Sequence, residues 1–147
     1  MAARTKDNVF SEEERAAVAA TARERKSSGK LTPEQERAAG EEELQTKLAE
    51  MPADDRAMGE RIHEVVMAAV PASVPKTYYG MPAYAIDGKT ICWYKPKSKF
   101  KVRYSTFGFQ TDAKLDDGDM WGVEFAVIEL TPKVESRIAE LVKKAAG

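Results

Sequence analysis

Cysteine and histidine are nearly absent: Cys92 and His63 are the single residues of their kinds in 147. One cysteine excludes an intramolecular disulfide, and one cysteine with one histidine cannot complete a Cys/His zinc site within a chain. Such cysteine usage fits a reducing compartment. An excess of charge of either sign is lacking too. With 23 Lys and Arg against 24 Asp and Glu, the net charge of −1 gives no global pull toward nucleic acid or anionic membrane. Nowhere do about 18 apolar residues run together, and the start, Met1-Ala2-Ala3-Arg4-Thr5-Lys6-Asp7, has no apolar signal core. The expectation is a cytoplasmic chain, neither exported nor membrane-spanning. What is present, 43% hydrophobic and 32% charged residues, suffices for one globular unit without staples.

The pattern is helical before Pro71 and Pro75 and mostly extended after them. Ser11 and Glu14 have the spacing of a capping box and predict a helix to about Lys26, rich in alanine and with little surface to dock it. Thr32-Pro33-Glu34-Gln35 predicts a second helix start, with proline where its missing N–H costs nothing, and Gly40 reads as its break or end. Leu44, Leu48 and Met51 then recur at helical spacing until Pro52. Residues 1–52 are read as a helical N-terminal extension, and residues 53–147 as an α+β domain. Met58, Ile62, Val65, Val66 and Ala69 make one apolar stripe of a helix over 53–70. Thr131-Pro132 opens a last helix over 132–146, striped by Val134, Ile138, Leu141, Val142 and Ala145, with Lys143 and Lys144 complementing the dipole of its last turn.

Between these two helices the expectation is an antiparallel sheet of about four strands, from Tyr78 to Leu130. Asp87-Gly88 is a favoured pair for a two-residue type I′ turn and sets a register, Ile86 opposite Lys89 and Tyr84 opposite Ile91. Tyr84, Ile86, Ile91 and Trp93 then share the core face, and Ala83, Ala85, Cys92 and Tyr94 the other. Lys99 to Phe107 alternates Lys99, Lys101 and Arg103 with Phe100, Val102 and Tyr104, which predicts a third strand with its cations toward water. Gly108 to Gly122 reads as a polar loop and Val123 to Leu130 as the fourth strand.

Residues able to carry chemistry are few. His63 with Glu60 could bind a metal or shuttle a proton, but the pair supplies too few ligands, and a histidine hydrogen-bonded at the helix surface explains it as well. Cys92 lies mid-strand with no adjacent group to lower its pKa; activation would require His63 to meet it across the fold. Ser73-Val74-Pro75-Lys76 and Ser98-Lys99-Phe100-Lys101 match the letters S-x-x-K, whose chemistry needs the serine to start a helix; Pro75 breaks the first and alternation makes the second a strand. No Walker loop, G-x-G-x-x-G, G-x-S-x-G or H-E-x-x-H occurs. Asp117, Gly118, Asp119 and Glu124 fit four positions of an EF-hand loop, while Ala113 and Leu115 stand where oxygen ligands are required. From Lys76 to Arg103 the cations are opposed only by Asp87, yet alternation separates them from the aromatics, which disfavours stacking on nucleic acid and leaves an acidic partner or small anion as alternatives.

Tyr79-Gly80-Met81-Pro82-Ala83-Tyr84, the Asp87-Gly88-Lys89 turn, the aromatic strand after it and the closing strand and helix resemble the YdhG-like family of domains of unknown function, over roughly 53–146. Lys99 to Tyr104, Leu115 to Trp121 and Leu141 to Lys144 resemble an actinobacterial branch with a similar helical extension. Some members are labelled putative iron chaperones, by likeness in role to frataxin. The resemblance implies a small α+β sandwich, without catalysis, that holds Fe(II) weakly on surface carboxylates. On this chain the metal candidates are Asp116, Asp117 and Asp119, with Glu124 as a further donor. Tyr79, Gly80, Met81, Pro82, Trp93, Lys101, Arg103 and Trp121 are the candidates for a small ligand; the aromatic ones among them either line a pocket or fill the core. The other reading is an interaction module that docks an acidic protein or nucleic acid on its cationic strand face and N-terminal helices.

Overall fold

The computed structural model describes residues 31–147 together with Glu13, Ala16 and Ala17; the helix expected from Ser11 to Lys26 otherwise lies outside the described residues. From residue 31 onward two helices come first, α1 (Pro33–Ala49) and α2 (Ala53–Ala69), then the strands β1 (Val74–Tyr78), β2 (Met81–Ile86) and β3 (Lys89–Lys95). A one-turn helix α3 (Lys97–Phe100), strands β4 (Ser105–Phe109) and β5 (Glu124–Val127) and helix α4 (Pro132–Ala146) complete the order. The fold is α+β: an open sheet in the order β1-β2-β3-β4-β5, every neighbour antiparallel. No helix among the described residues is long and apolar enough to cross a membrane.

The helix caps follow the sequence. Thr32 accepts from the Gln35 amide while the Gln35 side chain returns to the Thr32 amide, and Thr131 accepts from the Val134 amide. Contrary to the break expected at Gly40, α1 runs through it. A Cβ at that position would overlap the Pro75 carbonyl oxygen, so the glycine lets the helix lie against β1 instead of ending the helix. Arg37 then donates to the Ser73 and Ala72 carbonyls at 2.9 and 3.2 Å, and the Thr77 hydroxyl donates to Glu43.

β1 is a fifth strand beyond the expected four, and Pro75 hid it. The proline tolerates this position because β1 is an edge strand whose Pro75 carbonyl faces α1, so the missing N–H is on the outer side as well. Pro71 therefore stands in the turn after α2 and Pro75 inside a strand, where the sequence suggested only a connection. Tyr79 and Gly80 make a second two-residue turn, with φ of 50° and 75°, joining Tyr78 to its partner Met81.

The Asp87-Gly88 turn has φ of 52° and 78°, and Ile86 pairs with Lys89 as expected. Beyond it the register shifts by one residue between Tyr84 and Ala85, so Tyr84 pairs with Cys92 and not with Ile91, and Ala83 pairs with Trp93. A bulge with one extra residue on β3 exchanges the faces of everything past it. Tyr84, Cys92 and Tyr94 join Leu44, Leu48, Ile62, Val66, Phe107 and Ile138 in the main core, while Trp93 belongs with Met81 and Ala83 in a second cluster edged by Tyr78, Tyr79 and Phe100. The core face expected from strict alternation was thus wrong for Trp93, Cys92 and Tyr94.

The third strand also moves. Residues 97–100 turn as α3, Lys101 takes a left-handed conformation (φ 54°, ψ 47°), and the strand begins only at Ser105. Pro96 at the helix cap starts the turn. The alternation of cations and aromatics over 99–104 is not a strand pattern: Val102 is 44% exposed, and Phe100 packs under the Lys95 and Lys99 ammonium groups. The fourth strand is shorter than expected, Glu124–Val127. A bidentate pair from Arg61 to Glu135, at 2.8 Å through each nitrogen, ties α2 to α4, and the guanidinium holds the Glu135 carboxyl below its ordinary value.

Candidate functional site

Tyr79 and Gly80 of the segment Tyr79-Gly80-Met81-Pro82 make the β1–β2 turn, and Gly80 lines a cavity of about 290 Å³. Three connections converge there: the Glu50-Met51-Pro52 link between α1 and α2, Gly80 of the turn, and Pro96, Ser98 and Lys99 where β3 becomes α3. Met51, Pro52 and Pro96 give an apolar floor, and Lys47, Lys99, Glu50 and Asp55 place two cations and two acids around it. Asp55 anchors the wall. Its residue is only 2% exposed, its carboxylate accepts the Ser98 amide at 3.1 Å, and its carbonyl accepts the Tyr94 hydroxyl at 2.9 Å. Burial raises the Tyr94 hydroxyl pKa, so it stays a donor. Lys99 Nζ donates to the Tyr79 carbonyl at 3.3 Å, and Lys47 lies 3.5 Å from Glu50. The lining can take a small molecule that offers an acidic group to the lysines, a donor to Glu50 and a short apolar body to the floor.

The other ligand candidates scatter. Met81 and Trp93 are buried in the second cluster, where the indole N–H donates to Gln110 at 2.8 Å and Gln110 in turn donates to the Tyr78 hydroxyl at 3.0 Å. A Cβ at Gly108 would overlap the indole ring, so Trp93 lies flat against its neighbour strand. Tyr79 edges that cluster, Pro82 is buried, Lys101 pairs with Glu13 at 2.7 Å, and Arg103 lies over the Tyr104 ring. Trp121 is 39% exposed on the loop before β5, far in the fold from the turn. Of the eight, Gly80 lines the cavity and Tyr79 supplies a carbonyl to its Lys99.

Asp116, Asp117, Asp119 and Glu124 are all exposed, and no group of three or more His, Cys, Asp or Glu side chains that could hold a metal ion occurs among the described residues. The acidic loop holds separately solvated carboxylates, so the iron-binding expectation finds no donor set there.

His63 has a carboxylate partner, but it is Glu41 of α1 and not Glu60. Its Nε2 lies 2.9 Å from Glu41 Oε1 and its Nδ1 lies 3.0 Å from the Tyr84 hydroxyl. Burial, with Cys92 and Glu41 nearby, pushes the Tyr84 hydroxyl well above its ordinary pKa. Both imidazole nitrogens are engaged, which leaves none for the thiol. Cys92 is 1% exposed and burial raises its pKa, the opposite of what a nucleophile needs. In native protein, alkylation with iodoacetamide is expected to proceed only as fast as the domain opens, and at an ordinary thiol's rate once denaturant is added. Rapid native labelling would show an accessible thiolate instead.

The second S-x-x-K match lies in a helical turn and not in a strand. Ser98 does stand in a helical turn, but Lys101 leaves it in the left-handed conformation and pairs with Glu13. Sequence reasoning missed Lys47, Glu50, Asp55, Pro96 and Lys99 as site residues. Pro96 before Lys97-Ser98-Lys99-Phe100 was the available signal, as proline at a helix start; the convergence of three connections has no sequence signature.

The fold and cavity define an α+β domain with an open antiparallel sheet and a charged pocket at its hairpin end. Comparison of the chain with protein-family models, curated proteins and solved structures finds no match.

Proposed function

We propose that the chain is a non-catalytic, YdhG-like binding domain of the cytoplasm that holds a small polar ligand in the cavity at the Tyr79–Gly80 turn. The observation that carries this reading is the meeting of Lys47, Lys99 and Glu50 over an apolar floor beside the segment most like the family, in a space of about 290 Å³. That volume is at the lower end of small-molecule sites and fits a compact amino acid, keto acid or phospho acid better than a nucleotide. Asp55 and the positive-φ turn fix the walls before a ligand arrives, which lowers the ordering cost of binding.

A backbone amide NMR titration with mixtures of small amino, keto and phospho acids tests it. Shifts are expected at Gly80, Ser98 and Lys99, saturating with concentration, and the double variant Lys47→Met/Lys99→Met is expected to weaken binding on the order of tenfold or more, as loss of charge-assisted bonds does. If no class of compound moves those three amides, or if the double variant binds as the parent does, the reading fails.

A further inference from the structure

The buried acid in the wall of the turn cavity is only half engaged by the protein. Asp55 is 2% exposed and lines the cavity of about 290 Å³ beside Gly80, Ser98 and Lys99. Its Oδ2 accepts the Ser98 amide at 3.1 Å, which ties α3 to the start of α2. Its Oδ1 accepts from nothing among the described residues, and no sealed side-chain nitrogen or oxygen there lacks a partner. Oδ1 therefore keeps access to the cavity that Asp55 lines.

An acid at the third position of α2 is ordinary in itself, because the helix dipole favours negative charge in a first turn. Asp54, one position earlier, meets that preference at the surface, paired with Lys97 at 3.2 Å. The burial of Asp55 is what the dipole does not explain. A carboxylate oxygen withdrawn from bulk water without a donor costs free energy, and a ligand that brings a donor recovers it. The oxygen has little freedom to turn away, since the Asp55 carbonyl accepts the Tyr94 hydroxyl at 2.9 Å while Oδ2 holds Ser98.

The neighbours say which donor fits. Lys47 and Lys99 bring positive charge to the same cavity, so a lone cation at Oδ1 meets a repulsion that a zwitterion does not. A calcium or magnesium ion suits the lining poorly, because it takes about six or more oxygen ligands. Here Oδ2 is committed to Ser98, and Glu50 stands 3.5 Å from Lys47. An α-amino acid carries an ammonium and a carboxylate on one carbon, the first for Oδ1 and the second for the lysines. Met51, Pro52 and Pro96 then receive an apolar side chain. A 2-keto acid of the same shape sets an acceptor against Oδ1 instead of a donor.

We propose that Asp55 selects the ligand, and that the cavity takes a small α-amino acid with an apolar side chain, its ammonium donating to Asp55 Oδ1. This rests on the cavity being a small-ligand site and narrows its ligand to one class.

Valine, its 2-hydroxy analogue and its 2-keto analogue differ at one group and test the inference on the wild-type chain. Titrations followed at the Gly80, Ser98 and Lys99 amides are expected to rank them in that order. Valine should bind about tenfold or more tighter than the keto acid, since a charge-assisted hydrogen bond stands where two acceptors would otherwise meet. In Asp55→Asn an oxygen remains for the Ser98 amide while an NH2 group turns to the cavity, and the ratio of valine to keto acid affinity is expected to fall to about one or below. A purely structural Asp55 would lower both affinities together and leave the ratio in place. A wild-type chain that binds the keto acid as tightly as valine overturns the inference, as does a variant that keeps the ratio; either result leaves the cavity a small-ligand site. If neither these compounds nor phosphoglycolate moves the three amides, the small-ligand reading itself fails and this inference with it. Should circular dichroism show Asp55→Asn unfolded, the ranking on the wild-type chain decides alone.

Discussion

Gly40→Ala is expected to destabilise the domain by about 3 kcal/mol or more, at or beyond the upper end of what overpacking a core costs. On an isolated helix the same change would stabilise by about 1 kcal/mol, because alanine is the best helix former. The sign reverses because the new methyl would overlap the Pro75 carbonyl oxygen, and that atom is backbone, held by a strand that β2 pairs along its whole length. Relief requires α1 to lift from β1. Lifting it also strains the two Arg37 bonds to Ala72 and Ser73 and withdraws Leu44 and Leu48, which are 0% and 1% exposed. Each of those leucines contributes about 1.5 to 3 kcal/mol by burial. A urea unfolding series on wild type and variant measures the difference. A variant with equal or greater stability would mean that α1 does not rest on β1 at this distance.

The second large effect is expected at the pair His63 and Tyr84. His63→Leu removes the ring nitrogen 3.0 Å from the Tyr84 hydroxyl, inside a residue that is 1% exposed, which should cost about 1 to 3 kcal/mol, the desolvation penalty of an unpaired buried polar group. Tyr84→Phe removes both the hydroxyl and the need for a partner, so its cost is expected to be smaller. The double variant should then be little worse than His63→Leu alone, giving a coupling of about 0.5 to 3 kcal/mol in a double-mutant cycle. Additive costs would show that the hydroxyl is satisfied elsewhere. The cycle also separates structure from function: the pair lies in the core between α1, α2 and β2, and the amide shifts expected for a ligand at Gly80, Ser98 and Lys99 should be the same in folded Tyr84→Phe as in wild type.

These two predictions show what the sequence could and could not disclose. His63 was visible as a boundary histidine, and the acid three residues before it on the same helix, Glu60, was its expected partner. Its true acid, Glu41, is 22 residues away on another helix, and only the packing of α1 beside α2 makes them neighbours. Gly40 carried the signature of a helix end, since glycine in a helix interior is unfavourable. The contact that outweighs that penalty belongs to a strand 35 residues later. The acidic loop is the reverse case. Asp116, Asp117 and Asp119 are close in sequence, and proximity along the chain suggested convergence. The loop buries Ala113 and Leu115 in the core and leaves these carboxylates exposed, and no group of three or more His, Cys, Asp or Glu side chains that could hold a metal ion occurs among the described residues.

Local chemistry alone determined the two capped helices Pro33–Ala49 and Pro132–Ala146 at their starts, the stripe of Ala53–Ala69, the Asp87–Gly88 turn, and the α+β class. Each of these depends on residues within about one turn of one another, where spacing is a sufficient statement of geometry. Tertiary structure decided which face of β3 is core. One bulge residue shifts the register past Tyr84, and since side chains alternate with a period of two, Trp93 trades places with Cys92 and Tyr94. Tertiary structure also found β1 behind its proline, turned the apparent strand at Lys99 into α3, and brought Lys47, Gly80 and Lys99 around one cavity. Those outcomes rest on which elements pack together, a property of the whole chain that periodicity along it does not record.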